Sequence, residues 1–433
     1  MSKAKLTLQE KLAKRKYKIP SSLIFGTLSN LVLKPFLSPK YNPHYEIIDD
    51  INECKGPCFL IYNHQSRIDY VYTVEAAYPK KLNYVIGYNE FFRSHLQFVF
   101  KLLNCIPKKN FNADIPAIKA ISKIIKQGGC VCISPEGMSS ITGHNQPVFT
   151  GTGKLFKHHK VPVYICKLKG AFLTNHKVCL EERKGRVDVT MSKLFSPEDL
   201  EKLTIEEIEA KCDEALWHDD YEWNKTARVK FDTHGRPCEH LHDLCYRCPR
   251  CGAEFEMIGK DDELKCKACG NGAKMNDYFD FIPFDDTCVI PESPSVWVDE
   301  ERKVVYQEIK NNKDYVFEEK VKIGYLPKYK FLKDQKTSEL CGEGTIRLTH
   351  EGFFYEGTRH GEPWSFKLTW EQLPTLGMVT DVTFFATYVD GEYYDFFPNR
   401  PTVGKILLIT EEMHRLHVNK WKNFPWMSHI YED

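Results

Sequence analysis

The sequence predicts an α/β fold in which a mixed, mainly parallel sheet flanked by helices is followed by a small cysteine-bearing module and a small β-barrel-like domain. Three observations support this fold class. Short apolar runs alternate with helical patterns to about residue 224, two Cys-x-x-Cys pairs follow, and alternating apolar and polar positions separated by turns continue to the end. The 433 residues are enough for two or three domains.

The overall composition is that of a folded protein, with 42% hydrophobic and 27% charged residues. The formal net charge is +1, so the overall charge does not indicate any particular class of binding partner. No stretch approaches 18 consecutive apolar residues, and the charged N-terminus does not resemble a secretory signal. We therefore expect a cytoplasmic protein whose 16 cysteines are reduced.

The first 40 residues combine a basic arm with an apolar segment. Residues 1–18 contain seven lysines or arginines against the single Glu10. Residues 21–37 follow Pro20, which suits the start of a helix, and are mainly apolar but too short to span a bilayer. This pattern predicts an interfacial amphipathic helix and peripheral attachment to the inner face of an anionic membrane. The alternative is a solvated tail followed by a core helix.

Polar side chains follow predicted strands at three places in the first half of the chain. His64 and Asp69 follow one strand, Lys108 ends another, and Glu136 lies in a Pro-Glu-Gly turn after a third. Because ligands of α/β sheets bind beyond the carboxyl ends of the strands, we expect these side chains to converge at one edge. A histidine with an aspartate five residues later can act as a base and its orienting carboxylate. Taken alone, the pair favours a structural histidine over a catalytic one.

Four segments resemble, in order and spacing, the sequence blocks of the lysophosphatidic acid acyltransferase family, the glycerolipid acyltransferases. The resemblance covers roughly residues 20–215. It implies transfer of a fatty acyl group from acyl-CoA or acyl carrier protein to a hydroxyl of a lysophospholipid, with 1-acyl-glycerol-3-phosphate as the favoured acceptor. No covalent acyl-enzyme and no catalytic cofactor are implied. The four segments are Asn63-His64-x-Ser66-x-x-Asp69, Ile106-Pro107-Lys108, Pro135-Glu136-Gly137 and Val161-Pro162-Val163.

The resemblance also implies a role for individual residues. His64, with its tautomer fixed by Asp69, would take the proton of the acceptor hydroxyl. Asn63 and nearby main-chain amides would hold the developing oxyanion or the loop, and Glu136 would orient the acceptor or brace the site. Cationic side chains would bind a phosphate on the acceptor. The substrate-binding residues implied in this way are Asn63, Ser66, Arg67, Lys108, Glu136 and Gly137.

Two positions depart from the pattern of the family. Lys108 stands where the second block usually has arginine, so a point charge replaces a bidentate fork. Met138-Ser139 stand where the third block usually continues with Thr and Arg. Lys109, Lys154 and other cations between 154 and 193 are candidates to compensate, and the acceptor stays open. The alternative is that this basic stretch only faces the membrane or the acyl carrier. The departures also support an alternative function, a catalytically weak or inactive lipid-binding or scaffold protein.

Two Cys-x-x-Cys-Gly knuckles with 14 residues between their inner cysteines resemble a zinc ribbon. Two thiolates from each knuckle can complete one tetrahedral Zn²⁺ site, and metal binding can stabilise a module too small for its own core. We therefore predict a structural ion, with a redox dithiol as the lesser alternative. No long basic and aromatic face accompanies the knuckles, so no nucleic-acid partner is expected. The predicted ligands are Cys248, Cys251, Cys266 and Cys269.

The last third of the chain alternates apolar and polar positions between turns, from about residue 285 onward, and includes the hairpin turn Asp390-Gly391. A closing helix is predicted from Val403 to the 412–418 region. Short strands closed by one helix resemble a small barrel of the pleckstrin-homology or GRAM type, which implies an accessory role in lipid or protein binding by analogy. The predicted domains are 1–40 (arm and interfacial helix), 41–224 (acyltransferase), 225–282 (zinc ribbon) and 283–433 (β-rich accessory domain).

Overall fold

The computed structural model describes residues 6–334, 336–379 and 381–418. The first five residues of the predicted basic arm and residues 419–433 of the predicted accessory domain lie outside the described residues. The described chain forms a seven-stranded sheet, a four-stranded sheet and a second seven-stranded sheet. This order of a mixed sheet, a small cysteine-bearing sheet and an antiparallel sheet confirms the predicted fold class.

The N-terminal segment is helical along most of its length. Thr7 caps the first helix, because its hydroxyl accepts a hydrogen bond from the Glu10 N–H while the Glu10 carboxylate accepts one from the Thr7 N–H. The apolar segment begins a helix after Pro20, as predicted, and continues as π-helical turns over Ser29–Leu37. Among the described helices, none is both long and apolar enough to cross a membrane. The helices are α1 (Leu8–Ala13), α2 (Ser22–Leu28) and α3 (Ser38–Tyr41).

The mixed sheet has the strand order β1-β7-β6-β2-β5-β3-β4. Every neighbouring pair is parallel except β6 with β7, which is antiparallel. The carboxyl ends of β2, β3, β4, β5 and β6 therefore lie at the same edge. The strands are β1 (Pro43–Ile47), β2 (Cys58–Tyr62), β3 (Leu82–Gly87), β4 (Ile106–Lys108), β5 (Cys130–Ile133), β6 (Val163–Lys169) and β7 (Val187–Phe195).

Helices cover both faces of this sheet. Successive residues of β2 point to opposite faces, so Phe59 and Ile61 join one buried cluster and Leu60 and Tyr62 another. The first cluster includes apolar residues of α6, and the second includes residues of α4. The helices are α4 (Asp69–Ala77), α5 (Gln97–Leu102), α6 (Ile115–Lys126), α7 (Thr152–His159), α8 (Ala171–Thr174), α9 (Pro197–Lys202), α10 (Ile205–Leu216) and α11 (Asp220–Ala227).

The cysteine-bearing module is a four-stranded antiparallel sheet with the order β11-β10-β9-β8. The 14 residues between the knuckles form the hairpin of β8 and β9, which brings the two Cys-x-x-Cys turns to the same end. Its apolar side chains, among them Leu264 and Met275, join a buried cluster that extends into the C-terminal sheet and into helices and loops of the α/β domain. The strands are β8 (Met257–Lys260), β9 (Glu263–Cys266), β10 (Gly272–Met275) and β11 (Phe281–Pro283).

The C-terminal module contains seven antiparallel strands in the order β15-β14-β13-β12-β18-β17-β16, closed by a buried helix. The strands and closing helix confirm the predicted β-rich domain, but the sequence reading missed the 18-residue helix that precedes them. The elements are α12 (Pro294–Asn311), β12 (Val316–Tyr325), β13 (Glu339–Thr349), β14 (Gly352–Arg359), β15 (Glu362–Leu368), β16 (Gly377–Met378), β17 (Phe385–Val389), β18 (Glu392–Pro398) and α13 (Val403–Val418).

The C-terminal module contacts the α/β domain along its sheet edge. Leu332 lies in the α/β core, and its main chain exchanges hydrogen bonds with Phe92 O at 2.8 Å and Ser94 N at 2.9 Å. The Lys109 ammonium donates to Gly391 O at 2.6 Å. Since Lys109 directly follows β4, the module borders the edge where the predicted site residues converge.

Candidate active site

His64 and Asp69 form a hydrogen-bonded pair at the turn between β2 and α4. Nδ1 of His64 lies 2.7 Å from Oδ2 of Asp69. The Asp69 carboxylate also accepts hydrogen bonds from the main-chain N–H groups of Gln65 and Ser66 and, at 2.6 Å, from the Ser66 hydroxyl. It sits at the first position of α4, where the helix dipole favours a negative charge. Asp69 is 2% exposed and is held in place by these donors.

The ring of His64 is oriented so that its second nitrogen is available. With Nδ1–H donating to Asp69, the neutral imidazole carries its lone pair on Nε2. Nε2 has no hydrogen-bond partner among the described residues, and the His64 side chain is 30% exposed. The pair can therefore accept a proton from a hydroxyl placed next to Nε2.

Glu136 fixes the main chain of the histidine. Its Oε1 accepts a hydrogen bond from the His64 N–H and its Oε2 accepts one from the Gln146 N–H, both at 2.8 Å. Ser140 N–H in turn donates to the His64 carbonyl at 2.6 Å. Burial raises the pKa of Glu136 to about 8, although the two N–H donors oppose the shift. The loop from Glu136 to Ser140 therefore holds both main-chain polar groups of His64.

Asn63 and Ser66 are fully engaged with protein groups. The Asn63 side-chain amide donates to Leu168 O at 2.8 Å and accepts from Leu168 N at 2.7 Å, which joins the end of β2 to β6. The Ser66 hydroxyl donates to Asp69. Both side chains are buried. In this arrangement they position the dyad, and their contact with a substrate stays a prediction.

Lys108 and Gly137 both contact the loop that follows β4. The Lys108 ammonium donates to Lys109 O at 2.7 Å and to Asn112 O at 3.0 Å, and burial lowers the pKa of Lys108. Gly137 has a φ of +79°, and a Cβ there would lie 2.8 Å from the ring of Phe111. Glycine therefore lets the Pro-Glu-Gly turn pack against the loop after β4. The role of Lys108 in binding substrate stays a prediction.

Arg67 lies beside two residues that the sequence reading did not single out. Its Nε donates to Asn175 Oδ1 at 2.7 Å, and its Nη2 donates to Leu180 O at 3.0 Å. Lys177, two residues after Asn175, donates from its ammonium to the Ser139 hydroxyl at 2.9 Å. Lys177 was one of ten cations between residues 154 and 193. Nothing in the local sequence distinguishes it, because its contacts are all distant along the chain.

The four knuckle cysteines form a compact cluster. Their sulfur atoms all lie within 4.8 Å of one another, with Cys248 and Cys269 at 3.6 Å and Cys251 and Cys266 at 3.8 Å. Four sulfurs at the usual Zn–S distance of about 2.3 Å in a tetrahedron stand about 3.8 Å apart, so the set fits Zn²⁺. A main-chain hydrogen bond from Ala253 helps to lower the pKa of the Cys251 thiol to about 7, which favours the thiolate that a metal requires.

The four-cysteine set is the only group of three or more His, Cys, Asp or Glu side chains in the described part of the chain with this ligand spacing. Cys238, His240, His242 and Cys245 precede the first knuckle and do not join it. His242 instead accepts a hydrogen bond on Nδ1 from the Gly259 N–H at 2.9 Å. The cluster is therefore consistent with the structural zinc site that the two knuckles predict.

A comparison with protein families finds a match in the first half of the chain. Residues 42–169 match the family model described as Acyltransferase, and this segment includes the dyad, Lys108 and the Pro-Glu-Gly turn. A search of solved structures finds the 1-acyl-sn-glycerophosphate (LPA) acyltransferase PlsC from Thermotoga maritima, at 15% identity over 45% of this chain and 76% of that chain, with a TM-score of 0.37. No curated protein matches the chain. The family match confirms the resemblance seen in the sequence blocks.

Proposed function

Because residues 42–169 form an acyltransferase domain, we propose that the protein transfers a fatty acyl group from acyl-CoA or acyl carrier protein to a hydroxyl of a lysophospholipid. We favour 1-acyl-glycerol-3-phosphate as the acceptor. The observation that carries the proposal is the 2.7 Å hydrogen bond between His64 Nδ1 and the buried Asp69 carboxylate. It fixes the tautomer that leaves Nε2 as a general base in a partly exposed position.

In the proposed reaction, His64 is the catalytic residue and Asp69 positions it. Nε2 takes the proton of the acceptor hydroxyl as the hydroxyl oxygen attacks the thioester carbonyl. The tetrahedral intermediate then collapses, the carbon–sulfur bond breaks, and the imidazolium returns the proton to the leaving thiolate. The Asp69 carboxylate stabilises the transient imidazolium. No serine or cysteine nucleophile is required in this scheme.

Glu136 and Asn63 are positioning residues in this proposal. Glu136 holds the main-chain N–H of His64 and Asn63 ties the end of β2 to β6, so both determine where the imidazole stands. A general base contributes its usual rate factor of about 10²- to 10⁴-fold only when its nitrogen lies within hydrogen-bond reach of the hydroxyl. Small displacements of the turn should therefore reduce turnover.

Peripheral attachment to the inner face of a membrane completes the proposal, since a lysophospholipid acceptor resides in the membrane. Leu23 of α2 is 79% exposed, and Phe36 in the following π-helical turns is 72% exposed. Phe98 of α5 is also exposed, and Arg15 of the basic arm donates to Phe100 O at 2.8 Å. Exposed apolar side chains next to a basic arm are typical of a segment that lies in the headgroup layer.

The test is acyl transfer by the purified full chain, with acyl-CoA and a panel of lysophospholipids, measured by mass spectrometry of the product. We expect turnover with the wild type and a loss of at least about 100-fold in His64→Ala. His158→Ala, a change at an exposed histidine on α7, is the matched control and should keep its activity. Absence of turnover with every acceptor and with both donor classes would instead support the scaffold alternative.

A further inference from the structure

Two cations next to the turn that carries the proposed base have no acidic partner at close range within the described part of the chain. Lys177 is only 6% exposed, and within the described residues its ammonium has one hydrogen bond, to the neutral hydroxyl of Ser139. Arg67 donates to an amide oxygen and a main-chain carbonyl. No carboxylate of the described residues lies within 4.0 Å of either cation. Burial, together with the charge of Arg67, lowers the pKa of Lys177 to about 8.

The acidic groups nearest to these cations are occupied elsewhere. Glu182 pairs with Lys40 and accepts a hydrogen bond from the Tyr41 hydroxyl at 2.9 Å. Asp381, from the C-terminal module, accepts hydrogen bonds from the N–H and the hydroxyl of Thr383. Asp381 attracts both cations and Glu182 attracts Arg67, in each case from a distance and without pairing. A buried ammonium held only by a hydroxyl is costly unless an anion accompanies it.

Asn175 provides a third hydrogen-bond donor beside these two cations. Asn175 is buried and uses its Oδ1 to accept from Arg67, while its Nδ2 has no partner among the described residues. An unpaired buried amide N–H₂ is uncommon and calls for an explanation. Nη1 of Arg67 also lacks a hydrogen bond within the described chain. Lys177, Asn175 and Arg67 thus offer unused donors from one small region.

This region adjoins the proposed base. Ser139, the partner of Lys177, is followed by Ser140, whose N–H donates to the His64 carbonyl at 2.6 Å. Arg67 lies two residues before Asp69 in the same turn. Ser139 is also the position where the family usually carries a cation. In this chain the ammonium of Lys177 contacts Ser139 and places a positive charge there.

We propose that Lys177, Arg67 and Asn175 bind a phosphoryl anion of the substrate, with Lys177 supplying from outside the four sequence blocks the charge that residue 139 lacks. Ammonium, guanidinium and amide donors match the oxygens of a phosphate monoester. This inference rests on the proposed acyl transfer and specifies the chemistry of its substrate. The phosphoryl group can belong to the acyl acceptor or to the CoA or pantetheine part of the donor.

The test compares Lys177→Met with the wild type on acceptors and donors that differ only in phosphate. The acceptors are 1-acyl-glycerol-3-phosphate and 1-monoacylglycerol, and the donors are acyl-CoA and the acyl thioester of N-acetylcysteamine. We expect kcat/KM of Lys177→Met to fall about 10- to 100-fold with either the phosphorylated acceptor or acyl-CoA. With the phosphate-free counterpart of that substrate, kcat/KM should stay within threefold of the wild type. A loss confined to the phosphorylated acceptor assigns the site to the acceptor, and a loss confined to acyl-CoA assigns it to the donor.

Lys177→Arg keeps the charge and should therefore recover most of the kcat/KM lost with the phosphorylated substrate. Lys211→Met, at an exposed position of α10, should behave as the wild type. An equal loss with all four combinations, or no loss with any, would overturn the inference while leaving the proposed acyl transfer in place. Binding of glycerol 3-phosphate and of CoA, measured by calorimetry, tests the site without turnover. We expect Lys177→Met to weaken one of them at least tenfold. If the wild type binds neither compound, no phosphoryl site exists.

Discussion

Oε1 of Glu136 accepts a hydrogen bond from the main-chain N–H of His64 at 2.8 Å, and Oε2 accepts one from the Gln146 N–H at the same distance. The proposed base is thus fixed twice, at its ring by Asp69 and at its main chain by Glu136. The two carboxylates act on different atoms of the same residue, so their loss should have different consequences for rate and for stability.

Replacing Asp69 by asparagine should reduce kcat by about 10²- to 10⁴-fold. The amide can present its N–H₂ to Nδ1, which favours the tautomer with the proton on Nε2 and removes the base. Steady-state kinetics measure the effect, and His64→Ala/Asp69→Asn should lose little more than His64→Ala alone because the two residues act as a unit. Additive losses in the double variant would contradict this coupling.

Replacing Glu136 by glutamine should change how stability depends on pH. Burial raises the pKa of Glu136 to about 8 from an ordinary value of 4.5, so the folded protein binds this proton more tightly than the unfolded chain. Its contribution is complete below about pH 4.5 and is lost as the pH rises through about 8. The urea unfolding free energy of the wild type should therefore fall more steeply from pH 5 to 8 than that of Glu136→Gln.

The same variant also removes one acceptor. A glutamine can accept on only one side-chain oxygen, so either the His64 or the Gln146 N–H loses its partner, at a cost of about 1–3 kcal/mol. Urea unfolding of the two proteins across this pH range measures both the lost hydrogen bond and the changed pH dependence. Parallel pH profiles for the two proteins would show that Glu136 titrates in the same range whether the chain is folded or unfolded.

Purified protein should contain one equivalent of zinc, and Cys248→Ser/Cys266→Ser should contain none. Structural zinc sites contribute on the order of 10–16 kcal/mol of apparent binding free energy, so loss of the metal should unfold the ribbon and destabilise the core that it shares with the other modules. Elemental analysis and limited proteolysis measure the two effects. Cys288→Ser, outside the cluster, is the matched control, and full zinc content in the double variant would exclude these ligands.

Charged substitutions on the exposed N-terminal face should weaken membrane binding without unfolding the protein. Leu23→Glu and Phe36→Glu place charges at side chains that are mostly exposed, so sedimentation with anionic vesicles should fall several-fold while the melting temperature stays within a few degrees. Leu340→Glu, at an exposed position of β13, is the control. Deleting the segment is less informative, since Phe25 and Leu33 are buried in the core. Unchanged sedimentation would direct attention to Phe98 of α5.

Local sequence patterns predicted the strands that carry the dyad, the cysteine cluster and the closing helix, because each depends on neighbouring residues. Helix α12 was missed for a physical reason. Its buried face includes Glu301 and Arg302, and Arg302 pairs with Glu411 at 2.6 Å and with Glu412 at 3.0 Å on α13. Buried charges interrupt the apolar stripe by which a helix is recognised. Lys177 was not singled out among the candidate cations between 154 and 193 for a related reason, since its partner is 38 residues away in the sequence.

Met138, which departs from the family pattern, belongs to the buried cluster that also contains residues of the ribbon, α12 and α13. His144, a few residues later in the same loop, lies 3.4 Å from Asp299 of α12. The loop that fixes the proposed base is therefore part of the interior that the accessory modules complete. Chimeras that graft these modules onto another acyltransferase domain should fold only if the segment from Met138 to His144 is transferred with them.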